Sequence, residues 1–243
     1  MIKQIKRIMG LMAVTGMLMF PVKAIATDGQ LGIYVTPKII YGLTYMKDVK
    51  VNGLGGNGTF SDSMGSHWDS TLGGSLAVGY DFSKRLRVPV RGELEYAAFT
   101  KAEVEEWPKG WPQDKFRQSN NVQTLFVNAY YDINTGTRFT PYVGAGIGAG
   151  FIRTKGRDHY TGMYVSEVDN TDSKTVTNFA WNIGLGLGYQ ITNNIALDMG
   201  YRFADLGKVK TNWLKWSTPG HGWELETKRL YQHQFSLGAR FTF

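Results

Sequence analysis

Along most of this chain apolar and polar residues alternate with a period of two, which puts successive side chains on opposite faces of an extended strand. In residues 33–45, Ile33, Val35, Ile39, Tyr41, Leu43 and Tyr45 share one face, while Tyr34, Thr36, Lys38, Gly42 and Thr44 take the other. Ile40 breaks the pattern. The alternation recurs in residues 72–81, 88–96, 124–133, 142–151, 179–191, 195–203 and 234–243. It is clearest in the sixth segment, where Phe179, Trp181, Ile183, Leu185, Leu187, Tyr189 and Ile191 oppose Asn182, Gly184, Gly186, Gly188 and Gln190. Each segment has the length, ~9–11 residues, that a tilted strand needs to cross a bilayer.

The connections alternate in length. Short turns fall at residues 83–85, 134–138 and 192–194, and long polar stretches at 46–71, 100–120, 152–176 and 206–228. This pattern predicts an all-β fold: an eight-stranded antiparallel transmembrane up-and-down β-barrel with three short periplasmic turns and four long extracellular loops. A soluble barrel of the lipocalin kind would turn the apolar parity inward around a ligand and its polar parity toward water. The glycines argue against that. Gly144, Gly146, Gly148 and Gly150 and then Gly184, Gly186 and Gly188 lie on the polar parity of adjacent segments, where a wet exterior favours Lys, Glu and Thr but a narrow lumen favours small residues. Aromatics on the apolar face gather toward strand ends, among them Tyr41, Tyr45, Tyr80, Tyr189, Tyr201 and Phe203, as two interfacial girdles require.

Residues 1–26 read as a signal peptide: a basic start (Lys3, Lys6, Arg7), an apolar run over residues 8–20 and a small-x-small site at Ala24-Ile25-Ala26. The barrel domain is then expected over residues 27–243. The formal charge is +7, but four of the 27 basic residues lie before residue 27, leaving 23 against 20 acidic. That near balance removes the main support for a nucleic-acid partner. The chain has no cysteine, so disulfides, thiolate metal sites and a lipidated cysteine are excluded.

With the strands placed, the chain resembles the opacity-protein and OmpA-like family of small outer-membrane barrels. The likeness is carried by LFVNAYYDI at residues 125–133, TPYVGAGIGAG at 140–150, ALDMGYRFADLGK at 196–208 and FSLGARFTF at 235–243. It implies the outer membrane of a Gram-negative bacterium, contact with lipopolysaccharide, and host binding through loops that vary too widely for a receptor to be named. A terminal Phe243 preceded by Phe241 and Tyr231 resembles the signal read by the barrel-assembly machinery. The sequence stops at the eighth strand, so the peptidoglycan-binding domain of some OmpA relatives is not expected.

Candidate chemistry falls in two places. Lys38, Arg91, Glu93, Glu95, Asp198, Arg202 and Arg240 lie on the lumen parity, where isolated charge is costly and a paired plug is expected; an ion path is the functional rival. The glycine-lined wall leaves room for a thin water-filled gap. The second place is the loops, which hold six of the seven tryptophans. Trp107, Trp111, Trp213, Trp216 and Trp223, with Lys208, Lys210 and Lys215, form a candidate surface for a host glycan or receptor; packing of loop against loop is the plainer reading. Catalysis has weak support, because the odd spacing of His233 and Ser236 puts them on opposite faces of one strand. His67, His159 and His221 lie apart in three long polar stretches. The pattern calls for no cofactor and no metal. It leaves a surface-interaction barrel first, a narrow channel second and a lipid-modifying enzyme third.

Overall fold

The computed structural model describes residues 31–55, 58–108, 114–161, 166–215 and 221–243. The signal-peptide reading, and Trp111 and Trp216, lie outside them. Strands run in chain order β1 (Ile33–Gly55), β2 (Gly58–Asp81), β3 (Val90–Phe99), β4 (Ala102–Glu106), β5 (Asp114–Asp132), β6 (Phe139–Thr161), β7 (Ser166–Asn170), β8 (Lys174–Gln190), β9 (Ile195–Asp205), β10 (Val209–Lys210), β11 (Leu214–Lys215) and β12 (Gly222–Thr242). Eight of them, β1, β2, β3, β5, β6, β8, β9 and β12, pair antiparallel in a ring that closes through β5–β6 and β12–β1. A closed ring leaves no unpaired sheet edge at membrane depth, the condition for a strand protein to live in lipid. The third strand starts at Val90 rather than Val88, with Val90 N donating back to the Val88 carbonyl.

The short connections are turns with local chemistry. Ser83–Leu86 forms one helical turn ending at Arg87, φ 60°. Asn134 Oδ1 accepts from the N–H of Gly136, φ 68°, and Thr192 Oγ1 accepts from the N–H groups of Asn194 and Ile195.

The long stretches depart from the expectation of loops, because strand continues through much of each. β1 and β2 are 23 and 24 residues long, about twice the length a bilayer needs, and they stay paired from Ile33↔Tyr80 to Gly55↔Gly58. The shorter β4, β7, β10 and β11 extend the wall beside β5, β6 and β12. The reason this was illegible is that the sense of the alternation reverses. Inside the span, apolar residues point out and polar ones in; beyond it Val49, Val51, Val104, Phe116, Val122, Ile152 and Leu225 point inward and are buried. Lys50, Glu103, Arg117, Arg153 and Glu226 occupy the outward positions between them. Water has replaced lipid outside, so the apolar face moves to the inside.

On β1 the reversal needs a change of parity. Lumen positions are even from Tyr34 to Met46 and odd from Val49 to Gly53, and a bulge at Asp48, φ 50°, makes the switch. β12 switches at residues 228–229, alongside the β1 bulge. Ile40, the misfit in the sequence pattern, is buried in the lumen.

Candidate functional site

The lumen is filled in layers. Near the periplasmic end Arg91 makes a two-pronged bond to Asp132, Nε to Oδ2 at 2.7 Å and Nη2 to Oδ1 at 2.9 Å. Its guanidinium lies 5.0 Å from the ring centre of Tyr130 and 4.9 Å from that of Tyr142. One layer up, Lys38 Nζ donates to Glu93 Oε1 at 2.8 Å and Glu95 Oε2 at 2.6 Å, and Arg202 donates to the other oxygen of Glu95. Tyr142 donates to Asp198 at 2.7 Å. The seven charges expected in the lumen are there, and six of them bond to another charge or to a tyrosine. Arg240 instead lies 5.8 Å from the Tyr34 ring, with Nη1 lacking a hydrogen-bond partner among the described residues. Asp132, the partner of Arg91, is not among the seven expected lumen charges, although it shares the parity of Tyr130.

The expected water-filled gap along the glycine wall is closed by tyrosines. A Cβ on Gly144 would meet Tyr130 at 2.3 Å, one on Gly186 would meet Tyr142 at 2.3 Å, and one on Gly79 would meet Tyr34 at 2.2 Å. These glycines hold space for rings reaching across the barrel. The cavity among Lys38, Glu95, Tyr130, Tyr142 and Arg202 measures about 30 Å³, room for about one water. Above it lies an amide and hydroxyl layer: Gln234 bonds Gln232, Gln232 bonds Thr44 and Thr71, and Thr227 bonds Gln118. The apolar core of the raised collar follows.

On the outside, an upper aromatic girdle runs through Trp68, Tyr45, Tyr231, Phe203 and Trp181, with ring centres 4.6, 6.3, 5.5 and 5.8 Å apart in that order. His233 sits inside it, its Nδ1 2.8 Å from the Tyr201 hydroxyl. Ser236 Oγ donates instead to the Gly200 carbonyl. A lower girdle is marked by Tyr80 on Phe82 and Phe139 on Tyr189, each pair 4.9 Å apart. Of the assembly-signal candidates, Tyr231 belongs to the upper girdle; Phe241 pairs with Val35 and Ile195, and Phe243 N donates to the Ile33 carbonyl at the periplasmic end.

The loop candidates among the described residues differ in exposure and pairing. Trp107 is exposed and carries Lys115 Nζ 4.3 Å from its ring centre; Trp213 is also exposed. Trp223 is a correction: it is 0 % exposed, inside the collar, edge-on to Phe116 at 5.0 Å. A Trp on a polar stretch read as loop looked available, but its position on β12 is lumen-facing. Lys208 and Lys210 are also committed, Lys208 to Glu226 and Lys210 to Glu224 and Glu226 at 2.9 Å each. Burial pushes the Glu226 carboxyl up, but the two lysines outweigh it and hold it below the ordinary value of 4.5. Lys215 lies on β11 opposite Gly222. His67 and His159 stand on β2 and β6 rather than in loops.

A closed strand ring with a polar lumen, an apolar belt between two aromatic girdles and turns trimmed at one end defines a transmembrane outer-membrane barrel. The chain belongs to the family described as outer membrane protein beta-barrel domain, whose model matches residues 12–243. It is 31% identical over 231 residues to outer membrane protein PagN of Salmonella typhimurium, covering 87% of this chain and 90% of that one. It is 26% identical to an opacity protein of Neisseria gonorrhoeae, over 69% of this chain and 76% of the relative. The crystal structure of a major outer membrane protein from Thermus thermophilus shares the fold at TM-score 0.51 and 11% identity, covering 86% of this chain and 99% of that one. The likeness to opacity proteins expected from the strand motifs therefore holds, and the protein's place is the Gram-negative outer membrane.

Proposed function

We propose that this protein is a surface-recognition barrel of the adhesin type, anchored by its lower half and presenting a rigid collar to the exterior. The observation that carries this reading is the reversal of sidedness along β1, β5, β6 and β12. A chain built only to span lipid gains nothing from folding some ten further residues per strand around a second, apolar core. That core turns what would be mobile loops into a platform, and preordered platforms bind with less entropic loss. Trp107 and Trp213 offer flat exposed rings, which suit the sugar rings of a host glycan or receptor, and Lys115 beside Trp107 is already shared with Glu105 at 3.4 Å. Assembly in the membrane is assigned to recognition of Tyr231, Phe241 and Phe243.

The lumen supports a plug rather than a conduction path: ion pairs, tyrosine rings, an amide layer and an apolar core succeed one another along it. An enzymatic role finds no support at His233 and Ser236, which bond to different groups on opposite sides of the wall. The test is binding of the refolded, heat-modifiable barrel to a panel of glycans and host cells, beside a Trp107→Ala/Trp213→Ala variant. Selective binding lost in the variant, with heat-modifiability kept, supports the reading. Binding untouched by the variant removes these rings as the site, and binding by neither protein leaves a structural role.

A further inference from the structure

On the lipid-facing wall the register sets Val90, Tyr131, Val143, Leu185 and Tyr201 in one row across β3, β5, β6, β8 and β9. One outward step above Tyr131 and Val143 the wall is low, at Ala129 and Ala145, and this second row runs on into Ile183 and Phe203. The result is an apolar groove of about 810 Å³. Val90 opens β3 at the periplasmic end, whereas Phe203 belongs to the upper girdle, so the groove climbs the wall as it crosses it. Four steps between adjacent strands, each about 4.8 Å, make it ~19 Å long. At the ~45° tilt of barrel strands it rises through about one leaflet of a ~30 Å hydrocarbon core.

The lower mouth lies beside two turns. Arg87 ends the helical turn Ser83–Leu86, and β3 begins directly after it. The Pro89 carbonyl accepts from the N–H of Asp132, which ties this turn to the one at residues 134–138. Arg85, Arg87 and Arg138 are exposed, and none has a carboxylate within ion-pair distance among the described residues. Asp81 and Asp132, which flank the two turns, are engaged, Asp81 with the N–H of Ser83 and Asp132 with Arg91. Arg87 stands at φ 60°, a conformation that glycine adopts freely and arginine does not, so its side chain is kept there at a cost in backbone energy.

We propose that this groove holds an acyl chain of an anionic phospholipid in the periplasmic leaflet, with Arg87 and Arg138 binding its phosphate. Charge selects this occupant. The unpaired cations gather at the lower mouth, so a chain lying in the groove from that end brings its headgroup to the two turns. A guanidinium gives charge-assisted, two-pronged bonds to phosphate oxygens, and cations at a membrane surface favour anionic over zwitterionic headgroups. A second copy of the barrel fits less well: a two-fold axis along the membrane normal would bring the two arginine clusters together. The inference rests on the outer-membrane placement and not on adhesion, since the site lies at the end of the barrel away from the collar.

The test reconstitutes the full barrel in phosphatidylethanolamine vesicles. Electron spin resonance then measures how strongly spin-labelled phosphatidylglycerol and spin-labelled phosphatidylethanolamine are immobilised by the protein. The proteins are the native chain, Arg87→Gly/Arg138→Ala, Ala145→Phe and, as an exposed cation on the collar, Lys50→Ala; all are checked for heat-modifiability. Glycine suits the backbone at position 87, and phenylalanine at 145 fills the groove while staying apolar toward lipid, so neither change opposes folding. The native chain is expected to prefer phosphatidylglycerol by at least about fivefold. The arginine variant should lose most of that preference, Ala145→Phe should immobilise both lipids more weakly, and Lys50→Ala should behave as the native chain. A native chain indifferent to the headgroup overturns the proposal, as does a preference that survives the arginine changes or falls equally in Lys50→Ala. Native behaviour in Ala145→Phe overturns it too, because the arginines would then attract headgroups without the groove.

Discussion

The ring of Tyr142 occupies the space that a side chain on Gly186 would need: a Cβ there would stand 2.3 Å from both Cζ and Oη of the tyrosine. The same hydroxyl reaches Asp198 at 2.7 Å, so the ring cannot withdraw without abandoning that bond. Gly186→Ala should therefore destabilise the barrel by ~1–3 kcal/mol, the range for overpacking, read as an earlier urea midpoint in micelles. A wild-type midpoint in the variant would mean that the ring has another place to go.

Removing one member of the charge layer should cost more than removing two. Lys38 is the bridge between Glu93 and Glu95, both of which are almost fully buried. Lys38→Met leaves Glu93 without its cation and Glu95 with Arg202 alone, and breaking a buried pair costs ~3–5 kcal/mol. In Lys38→Met/Glu93→Gln the uncompensated charge is gone, and much of the stability should return. A double variant as unstable as the single one would show that Lys38 acts through packing.

How far the fold was legible depended on what surrounds each strand. Leu185 and Tyr201 followed the lipid-facing rule and gave the eight spans directly, and the lumen parity placed Lys38, Glu93 and Glu95 together. The collar was not legible, because the same alternation runs on with its sense inverted, so Val49, Phe116 and Leu225 read as apolar interruptions in polar loops. Trp223 was misplaced for that reason. The meaning of the glycine columns was half legible: their side of the wall followed from parity, but the rings they accommodate come from other strands, and nothing local announces that.

Trp223 should anchor the collar without touching the span. It is fully buried against Phe116, and a Cβ on Gly156 would already meet its ring at 2.9 Å. Trp223→Ala is expected to cost the collar ~3–5 kcal/mol, as for other large aromatic truncations. Limited proteolysis should then cut in residues 206–228 while the heat-modifiable core persists. Protection equal to the native chain would mean that the collar is held by its strand pairing.

Acid should loosen the Lys208–Glu226–Lys210 group. The folded state holds Glu226 below its ordinary 4.5, so the unfolded or opened segment binds protons more readily and the contribution is fully present above that value. It is lost as pH falls through the depressed folded value. Lys210 is raised above 10.5 by Glu226 and Glu224, so its share persists through neutral pH and fades only in strong base. Protection against hydrogen exchange at Val209 and Lys210, whose strand pairs with Thr227 and Glu226, taken relative to intrinsic exchange at each pH, should fall as pH drops through the depressed value of the carboxylate. In Glu226→Gln that acid response should be much reduced.

The direction of the wall itself is tested by two neighbouring positions on β8. Leu185 is 58 % exposed on the outward face between Val143 of β6 and Tyr201 of β9, whereas Asn182 is 5 % exposed and donates to Asn128 Oδ1 at 3.0 Å across the lumen. Arginine at the bilayer midplane of a barrel costs ~2–4 kcal/mol, so Leu185→Arg should lower the yield of folded, heat-modifiable protein in the outer membrane. Asn182→Ser gives up one lumen hydrogen bond, worth ~1 kcal/mol, and leaves the lipid face unchanged, so assembly should proceed. If both variants assembled equally well, the apolar parity would not be facing lipid; if Asn182→Ser were the more damaging, the polar parity would be the outer one and the barrel would have to be read as a soluble, ligand-enclosing fold.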